Sequence, residues 1–186
     1  MRVCLLPVLL FACISGTVSM LAQQPAETPV AASTSIQASV MTAADAAKVL
    51  PPTVFFRGLT APVQARNSGG VRFADKRMVL VSLVDTSGYS TQVKEKYQAY
   101  LITESAIELG GKRLAPGAYG CGFLADDTFV VQDIGAHDLL TVHTTRDTNL
   151  HRPTPLQLMT SPDEAGSYRL YAGRSYVTFR VAAGQE

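Results

Sequence analysis

Three histidines and the aspartates around them offer the most direct chemistry in this sequence. His137, His143 and His151 follow one another in the C-terminal half, with Asp133, Asp138 and Asp147 beside them. Imidazole and carboxylate groups can hold a catalytic zinc when three or four of them converge at about 2 Å. A metal-dependent hydrolase using His137, His143 and His151 is therefore one reading. The spacing contains no HxH, HExxH or CxxC pattern, the patterns that make a metal claim specific. The competing reading is three surface histidines, and no metal or other cofactor is expected.

Cys121 is the second reactive side chain. It is the only cysteine downstream of Cys4 and Cys13, so a chain that has lost its first segment cannot form an internal disulfide. It lies between Tyr119 and Phe123 on one face of an expected strand, where a free cysteine acts as a small hydrophobe. No GxSxG marks a serine nucleophile and no glycine-rich loop marks a nucleotide. Asp126-Asp127 reads as turn chemistry. No catalytic residue is assigned.

Binding is easier to argue than catalysis. Gly120 and Gly122 alternate with Tyr119, Cys121 and Phe123. Alternate glycines bare one face of a strand, which admits a closely packed element, a bulge or a cavity. Tyr119, Phe123, Gly120 and Gly122 are accordingly the candidate ligand-binding residues.

The elements that position these residues are strands. Residues 106–134 read as three antiparallel strands in a row, 106–109, 118–124 and 128–134. Pro116-Gly117 and Asp126-Asp127 supply the turns between them. Upstream, 53–59 is a β-branched and aromatic strand. Residues 62–66 and 71–73 read as a hairpin about Asn67-Ser68-Gly69-Gly70. Residues 78–84, MVLVSLV, are apolar on both faces and predict a central strand covered on each side. A short helix over 91–96 leads into a strand at 97–103. Strands follow at 139–145 and 156–159, then a terminal hairpin of 168–171 and 174–181. Residues 146–155 form a polar loop long enough to be a binding or lid loop. A helix over 42–50, with Thr42 as N-cap and Asp45 as its partner, precedes the strands and ends at Pro51-Pro52. The fold expected is all-β: an antiparallel β-sandwich or partly closed β-barrel of about 8–10 strands with a short N-terminal helix.

The chain begins like an export signal. Met1-Arg2 is positive, 3–14 is apolar, and small residues lead to Ala22. The domain reading is a signal peptide over 1–22, a disordered leader over 23–39, poor in large apolar residues, and a single β-rich domain over 40–186. Leu10-Phe11-Ala12-Cys13 outlines a lipobox, although Phe11 is bulky there and apolar residues continue past the cysteine. Membrane attachment is expected only if Cys13 is lipidated. Without Arg2 the 16 Lys and Arg fall to 15, equal to the 15 acidic residues. A neutral chain lacks the basic footprint of a nucleic-acid binder.

Three functions fit these observations. One is a periplasmic or secreted, non-catalytic binding module for a small apolar or aromatic ligand. Another is an envelope structural or protein-interaction module. The last is the histidine-based hydrolase. The export reading makes a direct prediction: the intact mass of the mature protein corresponds to a free N-terminus at Gln23. A diacylglycerol-modified Cys13 would show lipid anchoring instead.

Overall fold

The structure, a computed structural model, describes residues 38–184. The expected signal peptide, Cys13 and nearly all of the expected leader over 23–39 lie outside the described residues. The described chain forms two antiparallel sheets packed as a sandwich, with no closed barrel among the described residues.

Strand β1 (Ser39–Met41) leads into helix α1 (Ala43–Ala47). Thr42 caps α1: its hydroxyl accepts from the Asp45 N–H at 3.2 Å and donates to the Asp45 carboxylate at 2.8 Å. Thr42 is the expected N-cap, while Asp45 binds the Thr42 hydroxyl and not its backbone N–H, so the full capping box is not formed. Strand β2 (Thr53–Phe56) and strand β3 (Leu59–Arg72) come next. They meet at a two-residue turn, Arg57-Gly58, with φ of +47° and +80°. Two left-handed residues make the hairpin turn that matches strand twist. An arginine at the first of them gives no sequence signal, which is why 53–59 read as one strand.

The expected hairpin about Asn67-Ser68-Gly69-Gly70 is not formed. These residues continue β3, which runs straight past strand β4 (Met78–Val84). Val63 faces Val84 and Ser68 faces Ser82, so β3 loops out three surplus residues. Two buried serines satisfy the carbonyls this exposes. Ser68 Oγ donates to Ala65 O at 2.6 Å and Ser82 Oγ donates to Gln64 O at 3.2 Å. The turn-forming residues thus serve a wide bulge. Gly70 is needed because a Cβ there would meet Leu80 Cδ2 at 2.8 Å and Val79 O at 2.9 Å.

Helix α2 (Thr91–Lys96) and strand β5 (Ala99–Thr103) match the expectation for 91–103. The next stretch departs from it. Strand β6 (Ile107–Leu109) turns at Gly110-Gly111 into strand β7 (Lys112–Leu114). The chain then crosses at Ala115-Pro116 to the other sheet for strand β8 (Gly117–Phe123) and strand β9 (Thr128–Gln132). Residues 106–134 are two hairpins in two sheets, not three strands in a row. Short strands in the pattern of this stretch carry no record of which sheet they join, since period-two alternation is the same in both.

Strand β10 (Asp138–His143) follows β9, and strand β11 (Thr145–Arg146) continues it into the second sheet. This switch at Thr144 joins the two sheets along one side, as a sandwich corner does. Strand β12 (Gln157–Thr160), strand β13 (Ser167–Ala172) and strand β14 (Ser175–Val181) complete the molecule. The first sheet runs β1-β3-β4-β5-β8-β9-β10 with β2 on β3. The second runs β12-β13-β14-β6-β7 with β11 on β14.

Both faces of the first sheet are covered. Val79, Val81, Leu101, Cys121, Phe129 and Val131 face the second sheet in the main core. Val54, Phe56, Tyr89, Val93, Tyr97 and Tyr100 form a second cluster, and Met41, Ala46, Leu50 and Leu80 a third. The outer layer consists of α1, α2 and the β2–β3 hairpin. That explains why β4 reads as apolar on both sides.

The glycines of β8 admit this outer layer. Phe56 stacks on Tyr97 at 3.8 Å between ring centroids, with an interplanar angle of 13°, and Tyr89 meets Tyr97 edge-on at 5.3 Å. A Cβ on Gly120 would lie 2.4 Å from Phe56 Cε2, and one on Gly122 would lie 2.4 Å from Lys96 O. The Lys96 carbonyl belongs to a backbone that cannot rotate aside. Gly122→Ala is therefore expected to destabilise the fold by about 1–3 kcal/mol, the usual cost of overpacking. The check is urea denaturation beside the wild type, where an unchanged midpoint would contradict this packing.

Candidate functional site

The end of β8 borders a partly enclosed cavity between the two sheets, about 310 Å³ in volume. This is at the lower end of the range for small-molecule sites. On the first sheet its wall is made by Leu83, Ala99, Cys121, Gly122, Phe123 and Phe129. On the other side stand Pro155, Leu156, Leu170 and Ala172. Gln64, Thr86 and Gln98 supply the polar groups.

These residues reach the cavity for local reasons. Ala99 and Cys121 are directly opposite on β5 and β8, so they share a face. Phe123 is opposite Phe129 across the β8–β9 hairpin, their rings 4.7 Å apart. Gln98 holds the strand ends together. Its amide N donates to Glu95 O at 3.0 Å and Phe123 O at 2.9 Å, and its Oε1 accepts from the Phe123 N–H at 3.1 Å.

Pro155 and Leu156 close the far side because the preceding loop is tied down. Arg174 Nη1 donates to Leu150 O at 2.7 Å and Thr148 O at 3.1 Å, and the Gly173 N–H donates to Thr154 O at 3.0 Å. Tyr171 donates to Asp147 Oδ2 at 3.0 Å. Arg169 reinforces this corner: it lies 4.3 Å over the Tyr176 ring, donates to Tyr171 Oη at 3.2 Å and pairs with Asp163. The 146–155 loop singled out in the sequence is thus a wall-bearing loop held from behind by two arginines and a tyrosine.

No family model matches the chain, and no curated protein or solved structure matches it either. The site stands on its own geometry.

Of the four ligand candidates from the sequence, Gly122 and Phe123 line this cavity and Tyr119 and Gly120 do not. The Tyr119 hydroxyl donates to Ala115 O at 2.9 Å, pinning the β7-to-β8 crossover, and its ring covers Gly117. Gly120 lies under Phe56 on the opposite side of the sheet. The sequence did not point to Leu83, Ala99, Leu170 or Ala172, which are ordinary strand residues without a distinguishing pattern.

The histidines sit on three separate elements. His137 is exposed and holds Asp133 Oδ2 at 2.9 Å across a tight turn. Hydrogen bonds from the His137 backbone and ring, with the Gly135 N–H, hold the Asp133 carboxyl below its usual range. His143 ends β10 opposite Thr128, and His151 is exposed in the 146–155 loop. Among the described residues no three His, Cys, Asp or Glu side chains are grouped so as to hold a metal ion.

Cys121 is fully buried in the cavity wall, and burial pushes its thiol up to about 12. A neutral thiol is a poor nucleophile, so its role here is to pack. It also reports on the wall. Cys121 is expected to resist Ellman's reagent in the native protein at about pH 8, where an exposed thiol reacts readily. Arg174→Ala removes the tie to the loop carbonyls and is expected to raise the labelling rate several-fold while the fold is retained by circular dichroism. Equal rates in the two proteins would show that Arg174 does not hold this wall.

Proposed function

We propose that this chain is an exported, non-catalytic β-sandwich that binds a small apolar or aromatic molecule between its sheets. The observation that carries the reading is the 310 Å³ cavity, most of whose lining residues are apolar. Aromatic and aliphatic walls reward a ligand for leaving water, and a few polar groups orient it. Phe123 and Phe129 supply aromatic surface, and Gln64 and Thr86 offer hydrogen bonds at the border. The neutral, buried Cys121 contributes surface and no reactivity. The anchored 146–155 loop keeps the opposite wall in place, which limits the ordering cost of binding.

A protein-interaction role has one observation in its favour. Phe55, Leu59 and Ile134 are about half exposed. The β2–β3 hairpin tip is joined to the 133–137 turn by a 2.7 Å bond from the Arg57 N–H to Ile134 O. Exposed apolar side chains near one hairpin tip are a common feature of docking surfaces.

Native mass spectrometry of the mature protein, purified without refolding, separates the two. The binding reading expects extra mass that denaturation releases, or saturable binding of an apolar fluorophore such as N-phenyl-1-naphthylamine. Ala99→Leu, which fills the cavity from β5, is expected to abolish either signal. A bare monomer with no saturable fluorophore binding would overturn the reading. A fluorophore signal lost in Phe55→Ser and kept in Ala99→Leu would move the site to the hairpin tip.

A further inference from the structure

We propose that a second, polar cavity on the outer side of the first sheet binds a neutral sugar through neighbouring hydroxyl groups. This cavity measures about 350 Å³ and shares no lining residue with the one between the sheets. Gln92, Glu95 and Lys96 of α2 form one side. Gln132 at the end of β9 and Ala136 in the turn beyond it form another, and Arg57 stands at the hairpin tip.

Gln132 carries the argument. The residue is almost fully buried, at 4% exposure. The amide N donates to Asp138 Oδ1 at 2.8 Å and to Ala136 O at 3.3 Å. Both partners are acceptors, so the amide cannot be turned round. This leaves Oε1 as an acceptor, and Oε1 is buried with no partner. Buried carbonyl oxygens are nearly always satisfied, so this atom calls for a donor from outside the chain.

The surroundings state what kind of donor. Lys96 Nζ lies 2.5 Å from Asp138 Oδ2, and an ammonium group has three N–H donors. Asp138 thus neutralises Lys96 and orients Gln132 at once. A hydroxyl both donates and accepts, so it suits a cavity whose lining includes both the residue with the unpaired acceptor and a lysine with spare N–H groups. At the rim, the Arg57 guanidinium and the Glu95 carboxylate have no side-chain partner among the described residues. One positive and one negative group, beside a neutralised Lys96, give the cavity no net preference for a charged ligand. They do offer a donor and an acceptor to a second hydroxyl. Val93 and Ala136 supply apolar surface for the C–H groups of a sugar ring.

The test is heteronuclear NMR of the mature protein titrated with D-glucose, D-galactose or D-mannose, with glycine and inorganic phosphate as charged comparisons. The expected result is a saturable shift of the Gln132 side-chain amide and of the Arg57 and Lys96 backbone amides for at least one hexose, with Cys121 unmoved. Gln132→Met is expected to weaken that binding by about tenfold or more, the scale of one buried hydrogen bond. Arg57→Asn keeps the left-handed turn and removes the guanidinium. It is expected to weaken binding several-fold without disturbing the fold, which keeps the idea testable if Gln132→Met misfolds. No saturable shift with any hexose would overturn the proposal and leave Oε1 to an ordered water. An equal or stronger response to glycine or phosphate would overturn it too, as would hexose binding untouched by Arg57→Asn.

Discussion

Strand β8 must be buried on both faces, and the rest of the molecule is arranged to allow it. Toward the second sheet it offers Tyr119 and Cys121, which join the main core. Toward the outside it offers Gly120 and Gly122, bare of side chains. Phe56 and the Lys96 carbonyl approach these positions more closely than any Cβ would permit. Because Gly120 leaves room, Phe56 can stack on Tyr97, and Tyr89 can seal the stack while donating to Phe56 O at 2.9 Å. A sheet covered by strands on one face and by two short helices and a hairpin on the other needs such a slot, since the outer layer packs large aromatic rings directly on the strand.

Both cavities follow from how this layering ends. Between the sheets, the core thins where β4, β5 and β8 reach the 146–155 loop, and small residues, Ala99 and Ala172, meet there. Space remains because Pro155 and Leu156 are held at a distance by a loop tied to β13 and the β13–β14 turn. On the outer side, α2 stops short of the 133–137 turn, and the polar side chains between them leave the second cavity. One is lined mainly by apolar residues and the other mainly by polar ones, as expected from a space enclosed by two sheets and a space enclosed by a helix and a turn.

Polar groups hold the irregular parts in place. The bulge in β3 is satisfied by Ser68 and Ser82, the crossover by Tyr119, the strand ends by Gln98, and the long loop by Arg174. A buried backbone group without a partner costs about as much as a hydrogen bond is worth, so each departure from a regular ladder has a dedicated side chain nearby. Gln132 Oε1 is one of the few buried side-chain atoms among the described residues left out of this accounting.

The amino-acid sequence by itself determined the β class, the capped helix at Thr42, the doubly buried strand Met78–Val84 and the terminal hairpin. Local rules govern all of these: alternation, capping geometry and the turn preferences of Gly and Asp. It also pointed to Gly120 and Gly122 as a bared face and to 146–155 as a loop with a task. Only the tertiary structure decided which sheet each short strand joins, that Asn67-Ser68-Gly69-Gly70 forms a bulge, and that Arg57 occupies a left-handed turn. Those outcomes depend on partners distant along the chain. Gly69 lies against Leu158, and Gly120 lies under Phe56. The cavity walls are non-local for the same reason. Ala99, Cys121 and Leu170 are unremarkable within their own strands, and they line a site only because packing two sheets brings them together.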